Sequence, residues 1–167
     1  IEVHDPYALS SLANSGHSIV INPAKLHKPE RAKHQIPMKQ AIIYEMSVRD
    51  FSWPKEAGFQ HSGQYKGLTE SPILDKQVLG LDYVKNLGVT HIQLMPLYDF
   101  GSVDEQHPEL IYNWGYDPVQ YNVPEGSFAS NPNDPYARIL ELQAAIQAYH
   151  DADISVIMDV VYNHVYH

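Results

Sequence analysis

Three short apolar runs, at residues 41–47, 91–97 and 154–161, alternate with two stretches of helical spacing. Near-continuous apolar, β-branched runs of this length are the mark of strands in a parallel sheet, whose faces are covered by the helices that connect them. The order strand, helix, strand, helix, strand therefore predicts right-handed βαβ units and an α/β fold. The first helix is expected over 75–87, with Val78, Leu81, Val84 and Leu87 on one face and Gly88 as its stop. The second has Asp134 as N-cap, Pro135 at its first position, and Ile139, Leu142, Ile146 and Tyr149 at helical spacing.

The connections are asymmetric. Both helix-to-strand links are short, whereas residues 48–74 and 98–133 form long strand-to-helix links in which no regular structure is expected. In parallel α/β folds ligands bind at the carboxyl ends of the strands, so these long links point to a functional face. Periodicity alone leaves a closed barrel and an open doubly wound sheet both standing. No strand-to-helix junction carries G-x-G-x-x-G or G-x-x-x-x-G-K-[ST], which removes the main support for a nucleotide fold.

Residues 1–39 read differently. They combine the apolar piece Ser18-Ile-Val-Ile-Asn22 with a Pro-, Lys- and His-rich stretch, as the end of a preceding β-type module followed by a linker would. The expected division is 1–39 for that module end and linker, and 40–167 for the α/β unit.

Charge and composition narrow the partner. Twenty acidic against 11 basic residues give a formal charge of −9, which repels phosphate backbones and anionic lipid and so predicts neither nucleic acid nor membrane as a partner. No apolar run reaches membrane-spanning length. The absence of cysteine leaves no thiolate metal site and no disulfide framework, so a cytoplasmic and a secreted location both stay open. The chain begins at Ile1 without a basic and apolar leader pattern, so any signal peptide is expected upstream. Aromatic residues make up 11% of the chain, 12 of them Tyr, and flat rings with a polar edge suit sugars.

Two constellations stand out. Tyr112-Asn-Trp-Gly-Tyr-Asp-Pro118 packs three aromatics, an amide and a carboxylate into the long link after the second strand. Gly115 gives the rings room to turn toward a cleft, Tyr116 can stack on a pyranose, and Asn113 or Asp117 can bind hydroxyls. A small loop-stabilising aromatic cluster explains the same residues equally well. Asp159-Val-Val-Tyr-Asn-His164 ends the third strand with amide and imidazole groups, where a neutral His can donate to a sugar hydroxyl or serve as a satisfied structural residue. His164 and His167 form an H-x-x-H pair without a third ligand, so no metal site is predicted.

The heptapeptide resembles the hallmark motif of type I pullulanases, and Asp159–His164 resembles the first sequence region shared across the α-amylase family of glycoside hydrolases. Ile43-Tyr-Glu-Met-Ser-Val-Arg-Asp-Phe-Ser52 is similar to that family's first barrel strand, and Leu81 to Pro96 to its first helix and second strand. Asp5-Pro-Tyr-Ala8 looks like the tail of the β-sandwich module before such barrels. The resemblance implies the first three strands and two helices of a (β/α)8 TIM barrel in a bacterial cytoplasmic or secreted protein. It implies an α-glucan substrate, with Tyr116 under the glucosyl unit at subsite −1 and His164 on that unit's primary hydroxyl. Asn113, Trp114 and Asp117 would complete the binding surface, and Asp159, Asn163 and Tyr112 would brace it. In some amylases the residue matching Asn163 ligates calcium; none is predicted here.

Retaining glycoside hydrolysis needs two carboxyl groups facing the scissile bond, and the resemblance places these on strands four and five. This stretch is therefore expected to bind substrate without supplying catalytic acids, to be inactive alone, and to need the remaining barrel strands as partners. The expected activity of the parent is hydrolysis of α-1,6-glucosidic bonds in pullulan, amylopectin or glycogen dextrins. A non-catalytic α-glucan-binding protein is the alternative.

Overall fold

A computed structural model describes residues 4–166. In chain order its elements are β1 (Ile43–Met46), α1 (Val48–Ser52), β2 (Ile73–Leu74), β3 (Gln77–Val78), α2 (Gly80–Leu87), β4 (His91–Leu94), β5 (Tyr98–Phe100), β6 (Pro118–Pro124), α3 (Ala137–Asp151) and β7 (Ser155–Met158). The three expected strands form one parallel sheet in the order β1-β4-β7, in register from Ile43↔His91↔Ser155 to Met46↔Leu94↔Met158. This is the α/β architecture the apolar runs predict, and it is the opening βαβαβ portion of a barrel.

The sheet has two unlike faces. The row Tyr44, Met46, Ile92, Leu94 and Val156 packs with Val84 of α2 and Leu142, Ala145 and Tyr149 of α3 in a single apolar core. Successive side chains of a strand alternate between faces, so Ile43, Glu45, His91, Gln93, Ser155 and Ile157 line the other face. That row mixes apolar and polar types, which explains why the strands are less uniformly apolar than burial on both faces requires. Tyr65 and Leu68, on a short 3-10 turn in the link after β1, fill the gap between the helices and are fully buried.

Local chemistry moves several expected boundaries. Helix α2 starts at Gly80, not residue 75: Asp75 and Lys76 adopt φ of +49° and +68° and close a tight β2–β3 hairpin, so Val78 belongs to a strand. Gly88 ends α2 at φ +71°, as expected of a left-handed stop. The expected N-cap Asp134 and first helical residue Pro135 lie ahead of α3: Asp134 Oδ1 accepts from the Tyr136 amide at 2.9 Å within a turn, and regular helix begins at Ala137 after Tyr136, with no side-chain cap. Neither long link is without structure. The first carries α1, and the second folds back as the antiparallel β5–β6 pair, irregular on both sides of Asp99.

Residues before β1 form an extended strap. Among its described residues one bridge joins Ser11 to Ser18, with 3-10 turns at Pro23–Lys25 and Met38–Gln40. Strap amides at Asn22, His27, Glu30 and His34 donate in turn to Tyr136, Gln143, Gln147 and Asp153. Positions 136, 143 and 147 recur on one helical face, so the strap tracks α3 along its length.

Candidate functional site

All three strands of the parallel sheet end at the same rim, and the links leaving them meet there. Ser47 caps α1 immediately after β1, accepting from the Asp50 amide at 3.3 Å, and this turn sets Arg49 and Asp50 at the rim. The Tyr112 hydroxyl, from the link after β4, donates to Asp50 Oδ2 at 2.6 Å. Tyr116 in the same link donates to Oδ2 of Asp159, the residue following β7, at 2.6 Å. Burial, then the bond to and charge of Asp159, raise the Tyr116 phenol far above its usual pKa, so it stays a neutral donor.

The heptapeptide is braced from within. Asn113 Oδ1 accepts from the Gly115 amide at 2.8 Å, and Asn113 Nδ2 donates to Asp117 Oδ1 at 2.9 Å. Asp117 Oδ2 accepts from the Ser102 amide at 2.8 Å, which fastens the loop to the end of β5. Gly115 adopts φ +87°, and a Cβ there would meet Phe100 and Pro96 at 3.0 Å. The glycine is required by backbone conformation and close approach, rather than only by room for rings to turn. Tyr116 is half-buried, whereas Trp114 is 61% exposed and stands at the surface.

His164 reaches the same cluster. Its Nε2 lies 2.7 Å from the Tyr116 carbonyl oxygen and its Nδ1 lies 2.7 Å from Asn163 Oδ1. Both ring nitrogens are thus engaged, and neither faces solvent unpartnered. The Tyr121 hydroxyl lies 2.9 Å from the Val161 carbonyl and 2.7 Å from the His164 carbonyl, so β6 holds the segment after β7 in place. The structure therefore brings Tyr112, Asn113, Tyr116, Asp117, Asp159, Asn163 and His164 to the rim in three hydrogen-bonded groups, Tyr112 with Asp50, Asn113 with Asp117, and Tyr116 with Asp159, His164 and Asn163, joined through the heptapeptide backbone. His167 lies outside the described residues.

A second polar group lies beneath this rim and is not evident from the sequence. Asp99, Glu105 and Glu125 are buried with Arg138, whose side chain is fully enclosed. Arg138 Nη2 donates to Glu105 Oε2 at 2.8 Å, and Nη1 donates to the Pro124 carbonyl at 3.1 Å. Glu125 accepts from the amides of Phe100 and Ser127, at 3.0 and 2.8 Å. Burial, followed by the charges of neighbouring carboxylates, pushes Asp99 up to about 9 and Glu125 up to about 8. Among the described residues these three are the only His, Cys, Asp or Glu group close enough to share a metal ion. Arg138 is the cation the chain itself places there. Asn163 has its Oδ1 turned to His164 Nδ1, at 2.7 Å.

Known proteins place this geometry. The chain is 42% identical to the pullulanase of Bacillus subtilis strain 168, over 99% of its own length and 23% of that protein. It superposes with a TM-score of 0.92 and 50% identity on the crystal structure of pullulanase from Anoxybacillus sp. LM18-11 complexed with maltotriose, covering 98% of this chain and 24% of that one. The type I pullulanase of Bacillus subtilis complexed with maltose gives a TM-score of 0.92 at 42% identity, covering 98% of this chain and 23% of that one. The chain thus spans about a quarter of the length of these relatives. Residues 49–167 match the catalytic domain of alpha amylase, and the chain belongs to the alpha-amylase family of glycoside hydrolases.

Proposed function

We propose that the protein is a pullulanase-type debranching enzyme, a retaining, endo-acting α-1,6-glucosidase for pullulan, amylopectin and glycogen dextrins. In this reading residues 40–167 are the first portion of its barrel, and residues 1–39 lead in from a preceding β-type module. The observation that carries the reading is the joint anchoring of Tyr116 by Asp159 and His164 at the rim of the parallel strands. An aromatic ring fixed by a carboxylate, with an imidazole beside it, is the chemistry that holds a pyranose by its apolar face and a hydroxyl. Relatives named pullulanase, solved with maltose and maltotriose, support an α-glucan as the ligand.

Roles follow from the geometry. Tyr116 offers its face to the glucosyl unit while its hydroxyl stays with Asp159. The primary hydroxyl of that unit takes the place of the Tyr116 carbonyl as the partner of His164 Nε2. Asn113 and Asp117 hold the loop rather than the sugar, since their polar atoms are spent on Gly115, Ser102 and each other. Trp114 is the exposed ring left for a neighbouring sugar. Asp159 is a brace and not a nucleophile, because its carboxylate already serves Tyr116. The nucleophile and acid/base belong to later strands of the barrel.

The test is hydrolysis of pullulan by the protein with its full barrel. Release of reducing ends from pullulan, with no release from linear amylose, is the expected outcome. Cleavage of amylose alone would replace the α-1,6 assignment with an α-1,4 one. Saturable glucan binding without any hydrolysis would favour a non-catalytic glucan-binding protein.

A further inference from the structure

The loop that carries the exposed Trp114 is held at Tyr112 by the link after β1. The Arg49 guanidinium lies 3.7 Å from the centroid of the Trp53 ring and 5.0 Å from that of Tyr112, so one planar cation is layered against two aromatic faces. Arg49 is largely enclosed, its side chain 14% exposed, and its Nε is buried without a hydrogen-bond partner. Its ion pair with Asp50 is long, at 3.7 Å. An enclosed guanidinium with so few hydrogen bonds is held by stacking, not by a salt bridge.

The layer has a rigid base. Gly63, at φ +72°, lies so close to Trp53 that a Cβ there would meet the indole at 2.7 Å. The Ser62 hydroxyl donates to the Trp53 carbonyl at 2.6 Å. On the other side Tyr112 is tied to Asp50 through its hydroxyl at 2.6 Å. Trp114 follows Tyr112 by two residues in the same loop, so what fixes Tyr112 limits where Trp114 can stand. A chain of contacts thus runs from Gly63 through Trp53 and Arg49 to Tyr112, in the loop that carries Trp114.

We propose that Arg49, with Asp50, is a positioning residue for the aromatic loop, clamping Tyr112 so that Trp114 presents its ring to the glucan at a fixed angle. The substrate part of this inference rests on the debranching reading above; the ordering of the loop does not. Fixing the ring before substrate arrives spares the entropy of ordering it on binding, so the clamp acts on substrate affinity. It leaves the reacting bond to groups elsewhere.

The experiment uses the full-length protein as Arg49→Met, which keeps the aliphatic stem without the cation, and as Arg49→Lys. Hydrogen–deuterium exchange of the 110–117 segment is read beside kcat and KM on pullulan and the melting temperature. Arg49→Met is expected to speed exchange of that segment about tenfold while strands β1 and β4 keep their protection. It raises KM for pullulan about tenfold with kcat within about twofold. Arg49→Lys restores part of both effects, since it keeps the charge and loses the planar stack. Unchanged exchange of the segment in Arg49→Met overturns the proposal whatever the activity. So does faster exchange across β1 and β4 with a lowered melting temperature, which would make Arg49 a general packing residue. If the wild type fails to cut pullulan, the debranching reading falls, and the exchange data still decide whether Arg49 orders the loop.

Discussion

The Tyr116 hydroxyl and Asp159 Oδ2, 2.6 Å apart, join the link after β4 to the end of β7. This short bond to a charged acceptor fixes a ring and neutralises part of a half-buried carboxylate at once. The two functions separate by mutation. Tyr116→Phe keeps the ring and leaves Asp159 without its donor, so it should cost about 1–3 kcal/mol in stability. Tyr116→Ala also removes the stacking face. Maltotriose affinity, measured by titration calorimetry, is expected to fall at least about tenfold in the Ala variant and about threefold or less in the Phe variant. Equal losses in both would show that the hydroxyl, not the face, meets the sugar.

Arg138 invites a stability test of a different kind. It is the one cation buried among Asp99, Glu105 and Glu125, and it also donates to main-chain carbonyls of Pro124 and Pro132. Removing Arg138 leaves its buried partner Glu105 uncompensated, at about 3–5 kcal/mol. Arg138→Met is expected to lower the unfolding free energy from urea titration by that amount. Pairing Arg138→Met with Glu105→Gln should recover part of the loss, which a double-mutant cycle reads directly.

The sheet was legible in the sequence because each strand is an apolar run of strand length between helical patterns, and strand pairing followed from chain order. Gly88 was legible because a left-handed stop is single-residue chemistry, whereas Asp134 and Pro135 form a turn just ahead of α3 that capping chemistry alone does not tell from a helix start. The start of α2 was not legible, since Val78 and Leu81 have helical spacing even though a tight turn at Asp75 and Lys76 separates them from the helix. The β5–β6 pair was hidden because its burial inverts the polarity pattern: Asp99 and Gln120 are buried while Tyr121 is only partly so. Tyr116, Asp159 and His164 stood out as chemistry at strand ends. The Arg49–Tyr112 layer and the Arg138 cluster depend on how the links cross, which no local pattern encodes.

The pH dependence of stability should carry the signature of the buried acids. Asp99 and Glu125 have folded pKa values raised to about 9 and about 8, so in the folded state they hold protons that the unfolded chain releases above about pH 4. The stabilisation from that protonation is complete below the unfolded values and is lost as pH climbs toward 9. Asp82, Asp104 and Asp153, each partly exposed, have lowered pKa values, through Lys85, the Gln106 amide and His34 respectively, and act oppositely, losing stability only as pH falls below about 4. Between pH 5 and 8 stability should therefore fall with rising pH, by up to about 1.4 kcal/mol per unit for each proton released. Asp99 accepts from no N–H, so Asp99→Asn replaces the neutral acid at little cost and should flatten the slope. Urea midpoints at pH 5, 6.5 and 8 check both; a slope unchanged in Asp99→Asn would assign the protons elsewhere.

Two glycines of similar backbone conformation should respond unequally to the same substitution. Gly80 at φ +68° and Gly88 at φ +71° both occupy the left-handed region, at opposite ends of α2. Alanine at either pays about 1–2 kcal/mol for that conformation. At Gly88 nothing lies within 4 Å of the added methyl, so the conformational cost is the whole effect. At Gly80 the methyl would sit 2.0 Å from the Glu70 carbonyl oxygen, which itself accepts from the Leu81 amide at 2.9 Å. Relieving that overlap must break the Leu81 bond or move residue 70, adding about 1–3 kcal/mol. Gly80→Ala is therefore expected to destabilise by about 2–5 kcal/mol and Gly88→Ala by half of that or less, both read from urea unfolding. Equal losses would mean that the 70–80 loop yields freely, and that the close approach at Gly80 is no constraint on where α2 begins.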